Sequence, residues 1–306
     1  MKKTIGILAH VDAGKTTFSE QILYHTNSIR SRGRVDHKNS FLDSHSIEKE
    51  RGITIFSDQA IFEIGESTYY LLDTPGHLDF SAEMERTLSV LDYAILLISG
   101  VEGIQGHTET IWSLLKKYNV PTFFFVNKMD RTGANLENIL EEIKEDLTSD
   151  ICYIDKINNL DEEVIEFISE RDDILLERYF NGDYNEKEWI ERLKSLIKEN
   201  KIFPCLSGSA LQDEGITKFL EIFNELTISD YNKDEDFSGR VYKIKYDNNG
   251  TRLTFIKALS GSLKVRDEIN YGIDDEIIEK VSSIRIYNGN KFSSVDRVIA
   301  GDIFAV

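Results

Sequence analysis

Through the first two thirds of the chain, short apolar runs alternate with stretches whose apolar positions recur every three to four residues. The runs at 5–8, 69–72, 94–98, 122–126 and 203–206 read as buried strands, being short and lacking a polar face. The stretches at 17–24, 80–91, 108–118, 136–147 and 216–226 read as helices. Strand then helix, repeated, predicts an α/β fold: a mainly parallel sheet with helices on both faces. In open sheets of this kind ligands bind beyond the carboxyl ends of the strands. After Tyr231 the period changes to two. Residues 240–246 and 253–258 flank an Asp-Asn-Asn-Gly turn at 247–250, which is a hairpin signal. A β-barrel module is expected over 231–306, and its pattern breaks off in mid-strand at 302–306, as in a partial barrel. Residues 1–230 are expected to form one domain, with an acidic, helix-rich insert at about 150–200 on the sheet's edge.

Composition narrows the picture. A length of 306 residues suits two domains. There are 36 Lys and Arg against 54 Asp and Glu, a net charge of −18. That balance opposes a surface built to grip bare nucleic acid by counterion release. Residues 231–306 hold 12 basic and 12 acidic residues, so the whole excess lies in 1–230. Only Cys152 and Cys205 are present, which gives neither a disulfide framework nor a zinc site and predicts a reduced, cytoplasmic setting. No apolar run approaches the roughly 18 residues of a membrane span, and the N-terminus enters a strand without a signal-peptide core. A soluble monomer away from membranes is expected.

The chemistry lies at the strand ends. Ala9-His10-Val11-Asp12-Ala13-Gly14-Lys15-Thr16-Thr17 follows the first strand and opens the first helix. In that context a G-x-x-x-x-G-K-[ST] loop turns backbone N–H groups and a helix N-terminus onto one polyphosphate. Ala9 replaces the first glycine. Lys15 would reach the outer phosphates and Thr16 would hold Mg²⁺. His10 and Asp12 lie within the loop, where Asp12 would support a cation or orient the backbone. Asp73-Thr74-Pro75-Gly76 closes the second strand. The carboxylate of Asp73 there can hold water of the Mg²⁺ shell, and Gly76 lets an N–H approach the γ-phosphate.

Asn127-Lys128-Met129-Asp130 closes the fourth strand. Asp130 can accept from N1–H and the N2 amine of guanine, whereas adenine would leave the carboxylate unpaired. Lys128 would lay its stem over the base and Asn127 would brace the phosphate loop. In Ser207-Gly208-Ser209-Ala210, Ser209 and Ala210 would bring a backbone N–H to the guanine O6. Alone, Asp-Thr-Pro-Gly also reads as a strand-terminating turn and Asn-Lys-x-Asp as an ordinary polar turn. Four in this order, each at a strand's carboxyl end, point to a site for GTP or GDP with Mg²⁺.

The set resembles the translational GTPases. Arg51-Gly52-Ile53-Thr54 looks like that family's first switch, which implies that Thr54 joins the Mg²⁺ shell when the γ-phosphate is present. His77, after Asp-Thr-Pro-Gly, matches the histidine that positions the attacking water there, and so is the implied catalytic residue. Arg30, Arg32 and Arg34 lie near the first switch and could face ribosomal RNA or solvent. The opening segment with residues 83–92 and 94–99 resembles the elongation factor G group. Residues 89–105, 124–128, 241–244 and 260–267 are most similar to the ribosomal protection proteins that confer tetracycline resistance. The resemblance implies a ribosome-stimulated GTPase whose partners are ribosomal RNA and proteins. Two other readings stay open: an elongation factor G-like paralogue with no drug role, and a nucleotide-dependent docking module in which hydrolysis is incidental.

Overall fold

The computed structural model describes residues 1–29, 59–74, 81–247, 249–272 and 277–306. The expectations for Thr54, Gly76 and His77, and for Arg30, Arg32 and Arg34, lie outside the described residues.

A seven-stranded sheet forms the first part. Inside it, β1 (Lys2–Ala9) is flanked in parallel by β3 (Ser67–Asp73) and by the middle strand, β4 (Tyr93–Ser99). Outward from β4 come β5 (Thr122–Asn127), β7 (Phe203–Ser207) and, at the edge, β6 (Ile151–Tyr153). At the opposite edge β2 (Gln59–Ile64) pairs antiparallel with β3. The five strands read from the sequence lie within β1, β3, β4, β5 and β7. The two edge strands escaped that reading.

The helices are α1 (Lys15–His25), α2 (Ser81–Leu88), α3 (Gly106–Lys117), α4 (Leu136–Glu142, continued by a π-helical turn, Ile143–Leu147), α5 (Glu162–Ser169), α6 (Asp173–Phe180), α7 (Glu186–Lys198) and α8 (Ile216–Leu226). They bury two cores, one on each sheet face. One gathers Phe18, Phe125, Phe219 and Phe223, and the other Trp112, Phe124 and Phe203. The acidic stretch supplies β6 and α5–α7, and Ile168, Trp189, Leu193 and Ile197 enter the same core as Phe125. Its charge therefore lies on a solvated face of helices that complete one core.

The second part is antiparallel. Strands β8 (Ser238–Tyr246), β9 (Arg252–Ser260), β13 (Ile284–Asn288), β14 (Lys291–Val295) and β16 (Ile303–Ala305) make a five-stranded sheet in the order β14-β13-β16-β9-β8. Two short pairs accompany it: β10 (Ser262–Lys264) with β15 (Arg297–Ile299), and β11 (Glu268–Tyr271) with β12 (Ile277–Lys280). The two parts share a core in which Tyr70, Leu72 and Val90 meet Tyr242, Leu253, Phe255 and Ile303. Among the described residues no helix is long and apolar enough to cross a membrane.

Candidate functional site

Strands β1, β3, β4, β5 and β7 all run in one direction, so their carboxyl ends share one rim. From β1 the chain turns through His10–Gly14 into α1. Asp12 at φ 66 and Gly14 at φ 98 occupy the left-handed region, where Asp is tolerated and Gly is at ease. A Cβ on Gly14 would collide with Asn127 Nδ2, so both backbone and space require glycine. The Gly14 N-cap carries no side-chain hydrogen bond and the first turn of α1 holds no acidic residue. The positive end of the helix therefore faces the loop without a carboxylate of its own to neutralise it.

Lys15 Nζ donates to Asp73 Oδ1 at 2.6 Å and to the Thr74 carbonyl at 2.5 Å. Asp73, at the end of β3, and Lys15 are both largely buried. Thr16 and Thr17 follow in the first turn of α1. Thr74 donates its hydroxyl to the Ile7 carbonyl at 2.6 Å, which ties the end of β3 to β1. No pattern in the chain marks that second task for the threonine of Asp-Thr-Pro-Gly.

Asn127 connects three of the sequence motifs. Its Nδ2 donates to the Ala13 carbonyl at 2.8 Å, and its Oδ1 accepts from the Ala210 N–H at 2.9 Å. The phosphate loop, the end of β5 and the loop after β7 are thus held by one buried amide. Around it, Met129 N donates to Gly208 O, and Ser209 exchanges backbone bonds with Glu214. A Cβ on Gly208 would run into the Glu214 carbonyl, so the loop closes only with glycine there. Gln21 on α1 donates to the Ala210 carbonyl at 2.6 Å. Asp130 is exposed at the same rim, and Val11 is exposed on the phosphate loop.

Lys128 has φ 64, a conformation that costs a non-glycine residue energy and is retained where surroundings enforce it. Its ammonium donates to Glu102 Oε2 at 3.0 Å, and His10 Nε2 lies 3.4 Å from the same oxygen. The Ser99 hydroxyl foremost, and then Lys128 and His10, hold the Glu102 carboxyl down at about 2, against a partial loss of hydration. Glu102 was not singled out from the sequence. A lone acid after a strand has no distinguishing pattern, and only the fold brings it to His10 and Lys128.

A glycine-turned loop ahead of a helix, an Asn-Lys-x-Asp strand end and a small-residue loop beside it, gathered on one sheet rim, define a phosphate-loop nucleotide-binding domain of the GTPase class. Residues 2–229 match the elongation factor Tu GTP binding domain family, and residues 236–306 match elongation factor G domain 2. The chain belongs to this family of translational GTPases, and its first part is a GTPase domain. It is 39% identical to the tetracycline resistance protein TetP of Clostridium perfringens, over 99% of this chain and 49% of that protein. It is 35% identical to the tetracycline resistance protein TetM from transposon Tn1545 of Enterococcus faecalis, over 98% of this chain and 48% of that protein. The chain thus spans about half the length of these relatives. A crystal structure of a protein from Thermus thermophilus superposes with a TM-score of 0.89 at 22% identity, over all of this chain and 52% of that one, which shows a shared fold.

Proposed function

We propose that the chain is the GTP-binding and GTP-hydrolysing part of a ribosomal protection factor, which binds the ribosome and releases tetracycline from it. Residues 1–230 would form the nucleotide domain and 231–306 a translation-factor β module. The observation that carries the nucleotide reading is the bridge through Asn127, which holds the phosphate loop and the guanine-side loops in one rigid frame. The drug reading rests on the two tetracycline resistance relatives, each aligned along almost the entire chain.

In this reading the amides of the His10–Thr17 segment cradle the phosphates and Lys15 reaches the outer ones. Asp130 accepts from the guanine N1–H and N2 amine and Lys128 covers the base; Ser209 and Ala210 leave room beside O6 as small residues, their own N–H groups being held by Glu214 and Asn127. Thr16, Thr54 and Asp73 offer the oxygen donors a hard divalent cation prefers. Mg²⁺ bound there would neutralise charge developing on the phosphate oxygens. His77 orients the attacking water, and Gly76 and Thr54 register the γ-phosphate and release their loops when it is lost. Phosphoryl transfer asks mainly for positioning of this kind.

The test is labelled tetracycline retained on ribosomes after addition of the full-length gene product with GTP. Loss of drug at substoichiometric protein supports the proposal. Retained drug with GTP still hydrolysed on ribosomes assigns the chain to an elongation factor G-like paralogue. Nucleotide-dependent ribosome binding without stimulated hydrolysis assigns it to a docking module.

A further inference from the structure

The geometry points to Glu102 as a positioning residue of the nucleotide site, one that holds Lys128 of the base-reading loop and His10 of the phosphate loop on a single carboxylate oxygen. This inference rests on the proposed guanine-nucleotide reading and adds to it a residue that none of the sequence motifs contains.

Three observations carry it. First, the segment that bears Glu102 is built to hold it. Ser99, the last residue of β4, accepts on its hydroxyl from the Val101 and Glu102 amides at 3.4 and 3.3 Å. Its carbonyl receives the Gly103 N–H at 2.9 Å. Gly103 sits at φ 65, and a Cβ there would collide with Glu142 Oε2, which itself accepts from the Ile104 N–H at 3.1 Å. Gln105 Nε2 closes the turn onto the Glu102 carbonyl at 2.6 Å. A side chain leaving so constrained a backbone has few positions to choose from.

Second, Lys128 leaves its own backbone in the left-handed region, so its stem direction is also fixed, and its ammonium ends on Glu102. A lysine tethered at its tip presents its methylenes as a flat apolar surface, which is what a purine face packs against. Without the tether, ordering that long side chain over a base would cost conformational entropy at each binding event. Third, His10 reaches the same carboxylate from the phosphate loop, with its Nε2 at 3.4 Å and its ring largely buried. A single acid therefore spans from the loop that takes phosphate to the loop that takes the base, and pre-organises both. The Ser99 hydroxyl foremost, then Lys128 and His10, hold its carboxyl down at about 2, which keeps the tether an ion pair near neutral pH.

The experiment is titration of the purified chain with GDP, for the parent, Glu102→Gln, Lys128→Met, the double variant and Glu102→Asp, with thermal unfolding of each. Glu102 is about half exposed, so Glu102→Gln should unfold with the parent. It should bind GDP about fivefold more weakly, the scale of one ion pair near the surface. In the double variant the two losses should fail to add, since each change removes the same tether. Glu102→Asp should recover part of the loss. GDP affinity in Glu102→Gln equal to the parent's, or losses that simply add, overturns the assignment of Glu102 while leaving the nucleotide site standing. A parent chain that binds no GDP overturns the nucleotide reading, and this inference with it.

Discussion

At the scale of single residues the most exacting position is Asn127. Both polar atoms of its amide are used, one on the Ala13 carbonyl and one on the Ala210 amide, and water cannot replace it because the side chain is buried. Asn127→Ala leaves a buried carbonyl and a buried N–H unpaired, a loss of about 2–4 kcal/mol. Denaturant unfolding should show that loss, with GDP binding weakened because the phosphate loop loses its brace. Asp130 makes a different demand. Asp130→Asn should lower affinity for GTP and raise it for xanthosine nucleotides, whose C2 oxygen can accept from the new amide. Competition between the two nucleotides reads this out, and an unchanged preference for GTP removes Asp130 from the site. His77→Ala should abolish ribosome-stimulated turnover and leave GDP affinity near that of the parent. Stimulated turnover that survives the change removes the histidine from catalysis.

At the scale of elements, β1 shows how a strand is fixed at both ends. Its carboxyl end opens the phosphate loop. At its amino end Lys3 is 1% exposed and donates to Tyr69 Oη at 3.1 Å and to Thr227 Oγ1 at 2.9 Å, joining β3 and the end of α8. Burial, foremost, lowers its ammonium from 10.5 to about 8. A lysine with a depressed folded value binds fewer protons folded than unfolded, so stability rises with pH across that interval. Below pH 8 its penalty is fully present. It should be relieved progressively between about 8 and 10.5, by up to about 3 kcal/mol. Lys3→Met should flatten that part of the stability–pH curve, as chemical denaturation at a series of pH values would show.

The elements also explain what could be read from sequence. The five central strands are buried on both faces and so are apolar throughout, which a hydropathy scan detects. Strand β2 carries an exposed Glu63 at the sheet's edge and a buried Gln59 that donates to the Tyr287 carbonyl of the second part, and β6 is only three residues long. Neither leaves a pattern distinct from a loop. The phosphate loop and Asn-Lys-x-Asp were legible because their chemistry is local. Glu102 was not, since its role exists only once β4 and β5 are neighbours.

At the scale of the molecule the two parts are joined by buried polar bonds as well as apolar contact. Lys257 of β9 donates to Asp92 Oδ1 and to the Val90 carbonyl, both at 2.7 Å. The Thr4 amide donates to Asp92 Oδ2 at 2.6 Å, and Tyr231 donates its hydroxyl to Oδ1. Farther along, Gly289 N donates to Gln59 O at 2.6 Å, clasping the edge strand β2. Asp92→Ala strands the Lys257 ammonium in a buried setting, which costs about 3–5 kcal/mol. It should split a single unfolding transition into two, which calorimetry would detect. A single unchanged transition would mean that apolar packing alone couples the parts.

That packing has a practical consequence for anyone dividing the gene. Tyr70, Leu72 and Val90 belong to the first part by sequence, yet the side chains that cover them, Tyr242, Leu253, Phe255 and Ile303, come from the second. A fragment cut near residue 231 would carry a bare oily patch into solution, and such a patch draws copies together. Expression trials of the nucleotide domain alone should give aggregates or inclusion bodies, while the same boundary moved to residue 306 keeps the patch covered.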